Sequence, residues 1–376
     1  MSVSGDVYLV TGGNGFLGKV IIKLLIEKAH DISEIRLFDK VIHEDNVESL
    51  QALVGSRIKL TVFKEDLRNT KFLQKICQGV TCVLHTASLI DVWGNISKEE
   101  LEAVNVEGSC HLLEACIQQN VKSFIYTSSV EVVGPNERGD PICNGDEDTN
   151  YNSSLKFLYS KAKYRAEQII LKANGSPLPN GEWIVTSALR PMYIYGENSR
   201  FILQDLDEGI TNGMVLLRKS SKEALVNPVY VGNVAWAHIL LARAMKEEDK
   251  RKIVGGKFYY ITDDTPHTSY SDFNYELMSF LGFTIPSNFH IPLLLMYYVA
   301  YVAEILTFLL RPFIRYVPKV SRQLITMLNT KFTFISHKAR NDFDYTPLYS
   351  WEVAKERTTA WLASVVQEQR DFLNKK

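Results

Sequence analysis

Tyr159 and Lys163 stand one helical turn apart in Tyr159-Ser160-Lys161-Ala162-Lys163, on one face of an expected helix. A carbinol gives up hydride only if its hydroxyl proton leaves as well. A tyrosine of ordinary acidity, near pH 10, is a poor base for that proton at neutral pH. An ammonium one turn away, together with a positively charged hydride acceptor, stabilises the phenolate and lowers its pKa. Ser129 ends the run Ser123-Phe124-Ile125-Tyr126-Thr127-Ser128-Ser129. Its hydroxyl would hold the substrate oxygen beside Tyr159. Tyr-x-x-x-Lys alone arises by accident in any amphipathic helix; a nucleotide-binding half and a strand-end serine make it an oxidoreductase set. Tyr164 lies on the wrong face to compete and is expected to pack.

The acceptor is read from Thr11–Gly18, Thr-Gly-Gly-Asn-Gly-Phe-Leu-Gly. This stretch follows the apolar run Val7–Val10 and opens a helical pattern, the setting that a dinucleotide-binding loop needs. Gly12 permits the tight turn, Gly15 lets the backbone approach a pyrophosphate, and Gly18 allows helix to pack on strand. Gly13, Gly15 and Gly18 also fit G-x-G-x-x-G, so glycine spacing alone leaves the subtype open. With Phe16 and Leu17 the loop places a pyrophosphate at a helix N-terminus. Asp39 ends a second strand about twenty residues beyond Gly18, where a carboxylate accepts from the ribose hydroxyls and repels a 2′-phosphate. NAD is therefore favoured over NADP, against the pull of Lys40. Asp66 reads either as an acceptor for the adenine amino group or as a turn or N-cap residue. Small side chains at Thr86-Ala87-Ser88 would let the cofactor lie close, and Lys163 serves cofactor and catalysis together.

The elements that must position these groups alternate. Apolar runs at 58–63, 80–86, 123–127, 182–189 and 257–262 interleave with helical patterns, as at 99–119. The fold class is α/β, a doubly wound parallel sheet with a smaller C-terminal lobe. Gly12–Gly18, Asp39, Asp66, Thr86 and Ser129 all fall at the carboxyl ends of strands, where that architecture binds ligands. Residues 134–151 read as a loop whose Gly145-Asp146-Glu147-Asp148 is solvated rather than metal-binding. Asn227–Val231 reads as a short strand, and Asn233 as the cap of a helix over 234–245. Asp263-Asp264-Thr265-Pro266 is a turn by composition.

The chain has 376 residues and a net charge of −1, which excludes nucleic acid as an expected partner. Its five cysteines lack metal or disulfide spacing and are expected to be reduced thiols; no metal is expected. There is no signal-peptide pattern, so the sequons at Asn95, Asn152 and Asn174 are treated as chance. Residues 291–310 are almost wholly apolar, interrupted by Pro292, Glu304 and Thr307 and followed by Arg311, Arg315, Lys319 and Arg322. Their length as a helix, about 30 Å, matches a bilayer core. A buried core helix is the alternative, and Glu304 is costly in mid-membrane. The reading preferred is a helix lying on or dipping into a membrane. Trp351 and Trp361, beyond it, are expected to pack against the rest of the chain.

Together, Thr11–Gly18, Ser128-Ser129 and Tyr159-x-x-x-Lys163 resemble the extended short-chain dehydrogenase/reductase superfamily. The blocks Tyr126–Val132, Ala188–Gly196, Val229–Trp236 and Pro347–Trp351 resemble, more narrowly, vertebrate 3β-hydroxysteroid dehydrogenase/Δ5-4 isomerase. The likeness covers nearly the whole chain. It implies a Rossmann NAD-binding domain over 1–190, with 225–262 returning to it. A substrate lobe would comprise 191–224 and 263–376, including a membrane-associated 291–310. It also implies a steroid substrate, oxidised at its 3β-hydroxyl by Tyr159, Lys163 and Ser129 and then isomerised from Δ5 to Δ4. Asp263 and Asp264 match the aspartates proposed for the second step in that family, with His267 close by; as residues alone they read equally as a turn. Steroid-forming members often carry Tyr-Pro-His-Ser-Lys where this chain has Tyr159-Ser160-Lys161-Ala162-Lys163, and the varying side chains are expected near the substrate entrance. The implied location is the endoplasmic reticulum or mitochondrial membrane, with a possible homodimer. Rival readings are a dehydrogenase for C27 bile-acid precursors, a nucleotide-sugar epimerase, and a non-catalytic cofactor-sensing scaffold.

Overall fold

The computed structural model describes residues 5–29, 31–94, 96–136, 138–151, 154–155, 157–287, 292–310 and 321–374. Asn95, Asn152, Ile291, Arg311, Arg315 and Lys319, named above, lie outside the described residues. The expected parallel sheet forms. Its strands are β1 (Asp6–Thr11), β2 (Ile32–Asp39), β3 (Lys59–Lys64), β4 (Cys82–His85), β5 (Ser123–Thr127), β6 (Val185–Pro191) and β7 (Phe258–Ile261). They lie in the order β7-β6-β5-β4-β1-β2-β3, each pair parallel. The order reverses between β1 and β4, and such a switch point opens a crevice for ligands. The central strands β4 and β5 are buried at every residue, as strands covered on both faces must be.

The helices that matter for the site are α1 (Phe16–Lys28), α2 (Leu158–Lys172), α3 (Arg200–Thr211), α4 (Val231–Ala244), α5 (Tyr270–Met278), α6 (Leu293–Leu310), α7 (Arg322–Asn329) and α8 (Trp351–Asn374). Strand alternation sends Val10 and Leu37 to a core shared with Ile21, Leu25, Val234 and Leu241 on α1 and α4. Leu9, Phe38 and Val83 point the other way, toward Leu112 and Ile170. Trp351 packs on Tyr195 and Phe273, and Trp361 joins the α1 and α4 core, as their apolar helical spacing required.

Four details depart from the sequence reading. The helix expected over 99–119 is one rod whose middle turn, Glu102–Gly108, is a π-helix between Lys98–Leu101 and Ser109–Gln118. Asn105 in that wide turn accepts from Leu89 N (2.8 Å) and donates to Leu89 O (2.9 Å), tying down the loop after β4. Residues 134–151 contain a strand, Ile142–Gly145, paired with Phe332–Phe334 nearly two hundred residues away. Glu147 in the same loop accepts from Tyr260 N (2.8 Å) on edge strand β7, so it seals a sheet edge rather than facing solvent. Asn233 lies inside α4, not at its cap; Tyr230 occupies the cap position. All five cysteines are unbonded.

Candidate active site

The carboxyl ends of the strands open into one cavity of about 1170 Å³. Gly12 takes a positive φ of 67° as β1 turns into α1, and a Cβ on it would meet Ala87 N at 2.8 Å. At Gly18 a Cβ would lie 2.1 Å from Gly12 O, so only glycine lets α1 pack this close to the turn. A Cβ on Gly13 would meet the Leu37 side chain at 2.8 Å. The first turn of α1 carries no acid, leaving its amide end electropositive toward the cavity that Gly12, Gly15, Phe16, Leu17 and Gly18 line. The cradle fits a dinucleotide pyrophosphate.

Asp39 lines the same cavity and accepts from Asn14 N (3.1 Å) and Val41 N (3.2 Å). A carboxylate has about four acceptor sites, so capacity remains for a ribose diol. Lys40, the cation that argued for a 2′-phosphate, pairs with Asp66 at 3.1 Å. Asp66 is also gripped by Arg68 (Nε 2.9 Å, Nη2 2.7 Å), which holds its carboxyl far below the usual range. An adenine amino group would compete with Arg68 for it. Thr86 donates to Thr11 O (2.7 Å), joining the ends of β4 and β1 beneath the cofactor position.

Ser129, Tyr159 and Lys163 converge on the cavity from β5 and α2. The Ser129 hydroxyl oxygen accepts from Glu131 N (3.1 Å), which leaves its proton for a ligand. Lys163 Nζ donates to Thr127 O (2.7 Å) and sits 4.7 Å from the Tyr126 ring centroid. Burial pushes its pKa down to about 7, against the opposing pull of Glu167 and Glu131. The buried face of α2 is held by Glu167, which takes a two-point ion pair from Arg190 on β6 (2.8 and 2.5 Å). Replacing Arg190 with Met leaves Glu167 charged and unpaired, a change expected to cost about 3–5 kcal/mol. Thermal unfolding of the Arg190→Met protein measures this.

One electrostatic expectation is reversed. Tyr159 is pushed well above its ordinary pKa, first by burial and then by Glu131, so the protein alone does not make it a ready base. Glu131 itself was missed. It lines the cavity two residues beyond Ser129, accepts from Ser160 Oγ (3.3 Å), and burial raises its pKa to about 7. The signal available was Ser-x-Glu at a strand end, but its meaning depends on what surrounds it. Ser160, expected near the entrance, is buried against this carboxylate, while Lys161 is exposed.

Asp263, Asp264 and His267 are not among the described residues that line the cavity. Asp263 accepts from Tyr230 N (2.9 Å), Asn233 Nδ2 (2.8 Å) and Thr265 N (3.1 Å); Asp264 and His267 are exposed. Asn233 in turn bonds Tyr349 N and O, so Asp263 ties three segments together. The turn reading of these residues matches what the structure holds.

The substrate side of the cavity is walled by Met192, Tyr193, Phe201, Leu217, Leu324 and Leu328. Of the cations there, Arg218 pairs with Asp272 (2.6 Å) and Lys219 with Asp205 (2.6 Å) and Glu208 (2.5 Å), while Arg200 lies 5.6 Å from the Trp93 and 5.7 Å from the Phe201 ring centroid.

Residues 9–293 match the 3-beta hydroxysteroid dehydrogenase/isomerase family. The chain belongs to that family. Among solved structures, gox2253 is 26% identical with a TM-score of 0.68, covering 96% of this chain and 98% of its own. DesIV, a dTDP-glucose 4,6-dehydratase from Streptomyces venezuelae with NAD bound, is 18% identical, with a TM-score of 0.70 and 95% and 97% covered. UDP-glucuronic acid 4-epimerase from Bacillus cereus, with UDP-glucuronic acid and NAD, is 19% identical, with a TM-score of 0.69 and 96% and 99% covered. These likenesses establish the extended short-chain dehydrogenase/reductase fold for this 3-beta hydroxysteroid dehydrogenase/isomerase family member.

Proposed function

We propose that this protein oxidises the 3β-hydroxyl of a 3β-hydroxy-5-ene steroid with NAD and then moves the double bond from Δ5 to Δ4. The observation that carries the substrate class is the wall facing Tyr159. It is largely aliphatic and aromatic; its cations Arg218 and Lys219 are neutralised by Asp272, Asp205 and Glu208, and its third cation, Arg200, lies over the Trp93 and Phe201 rings. A nucleotide sugar brings a diphosphate, for which Arg200 is the one cation of these three without a carboxylate partner; a steroid needs apolar contact and one oriented hydroxyl.

Asp39, with Lys40 drawn to Asp66, favours NAD over NADP. Asp39→Ala removes a charge-assisted acceptor worth about 1.5–3 kcal/mol, so kcat/KM with NAD is expected to fall by roughly tenfold or more. NADP should meanwhile become a better oxidant than it is for the parent enzyme. Steady-state kinetics with each cofactor checks both.

NAD, when bound beside Ser129 and Tyr159, supplies a hydride acceptor and a positive charge. The Ser129 hydroxyl orients the substrate O3, and Tyr159 Oη takes its proton as C3–H leaves as hydride. Lys163, anchored by its bond to Thr127 O, adds positive charge beneath this step in its protonated form. The product ketone acidifies the C4 protons, because the resulting enolate is conjugated. Of the carboxylates that line the cavity, Glu131, two residues beyond Ser129, is the one assigned to take one and return it at C6; a group with a pKa of about 7 can do both at neutral pH. Asp263, with its oxygens committed to backbone and Asn233, positions the lobe.

The discriminating experiment supplies the purified protein with NAD and, separately, a 3β-hydroxy-5-ene steroid, a 7α-hydroxylated C27 sterol and UDP-glucuronic acid. NADH formation with the first supports the proposal. Oxidation of the C27 sterol alone moves it to the bile-acid reading, and epimerisation of the nucleotide sugar alone overturns it. We further propose that α6 sits in a membrane of the endoplasmic reticulum or mitochondrion, supported by its length and apolar character.

A further inference from the structure

In a water-soluble helix the apolar stripe faces inward, whereas α6 has the opposite polarity. Its less exposed residues are Met296, Tyr297, Ala300, Ala303, Glu304 and Thr307, a single stripe at helical spacing. Within it sit the helix's one acid and its one threonine, whose hydroxyl bonds back to Ala303 O (2.7 Å). Leu294, Val299, Leu306, Phe308 and Leu309 point outward, each more than half exposed. That outward surface matches hydrocarbon, and α6, 18 residues long, reaches about 27 Å.

The inward stripe meets α7. Glu304 accepts from Arg322 N (2.8 Å) and Arg322 Nε (2.7 Å), and the guanidinium lies 4.6 Å from the Tyr301 ring centroid. This pairing answers the cost of Glu304 beside lipid. At its other side α7 is tied to the loop after β4, where Gln323 Nε2 donates to Asp91 O (3.3 Å). At its C-terminal end Asn329 donates to Lys219 O (3.0 Å) and accepts from Ser221 N (2.8 Å). The helix thus roofs the cavity, and Leu324, Ile325, Met327 and Leu328 form its ceiling. Met296 of α6 lines the same cavity. One helix therefore presents lipid-matched side chains outside and a cavity-lining side chain inside.

We infer that the apolar substrate enters the cavity laterally from the bilayer, through the seam between α6 and α7 at Met296. The inference rests on the steroid reading for the identity of the substrate, and on the polarity of α6 for the route. Entry by this path spares the substrate a passage through water. Met296, Leu324, Leu328, Tyr193 and Phe201 line one cavity, and the Glu304–Arg322 pair clasps the seam along the helix.

The test delivers pregnenolone in phosphatidylcholine vesicles to the full-length protein with saturating NAD. Met296→Trp is expected to raise KM for vesicle-borne pregnenolone by about tenfold, leaving kcat at saturation and NAD affinity within about twofold. Met296→Ala, which widens the seam, should lower KM. Leu306→Trp, the same bulk on the outward face, should leave it unchanged. An unaltered KM in both Met296 variants overturns the route, as does an equal rise in Leu306→Trp. A wild-type protein that forms no NADH with pregnenolone defeats the steroid reading instead. The seam is then judged by the rate at which 3-doxyl-cholestane leaves vesicles for the cavity, followed by spin-label immobilisation. Met296→Trp must slow that rate for the inference to stand.

Discussion

Tyr159→Phe is expected to reduce kcat for oxidation of the 3β-hydroxyl by about 10²–10⁴-fold, the usual contribution of a positioned proton acceptor. The substitution deletes one oxygen and keeps the ring, which is buried among Leu101, Val106 and Ala162, so the fold and NAD binding should persist. Burial and Glu131 hold the free phenol well above its ordinary pKa, and Lys163 at about 7 is only partly charged at neutral pH. Bound NAD must therefore bring the missing positive charge. Kinetics with saturating NAD, alongside a direct measure of NAD affinity, separates loss of chemistry from loss of binding. Activity near the parent level would remove Tyr159 from the reaction.

Glu131→Gln is expected to divide the two steps. Isomerisation of a supplied 3-oxo-5-ene steroid should fall by about 10²–10⁴-fold, while oxidation of the 3β-hydroxyl changes by only a few-fold. Glutamine keeps the size and can still accept from Ser160, but it cannot take a proton from C4. The sign of the pH dependence follows from the raised pKa. Glu131 is protonated and idle as a base below about 7, so the parent isomerisation rate should climb as pH rises through that value. Asp263→Asn makes the contrasting case. It presents an amide where Tyr230 N, Asn233 and Thr265 N all donate. A loss of about 1–3 kcal/mol in stability is expected, with both activities declining together on warming. Selective loss of isomerisation in Asp263→Asn, with Glu131→Gln unaffected, would return the role to the aspartate.

Much of the cofactor side could be read from residue order because its geometry is local. Gly12 and Gly18 serve a turn and a contact within eight residues, and Asp39 follows from ending a strand beside them. Tyr159 and Lys163 share a helical turn, and Ser129 ends a strand, so their convergence needed only the parallel sheet. Glu131 was not legible: its acidity comes from burial beside Ser160, Lys163 and Asp91, which no short spacing links. Asp263 read equally as a turn residue and as a base for the second step. Its partners, Tyr230 and Asn233, lie some thirty residues upstream, so the bonds that occupy its carboxylate were not legible in the turn itself. The reversed polarity of α6 was likewise hidden, since which side faces inward depends on Arg322 reaching Glu304. Strand Ile142–Gly145 needed a partner nearly two hundred residues away, which composition alone could not supply.

The most direct test of the central claim incubates the protein with NAD and pregnenolone, following cofactor reduction and conjugated-enone absorbance as separate signals. Both are expected to rise, with the enone lagging in Glu131→Gln and both signals nearly absent in Tyr159→Phe. No cofactor reduction with pregnenolone, alongside turnover of UDP-glucuronic acid, would contradict it.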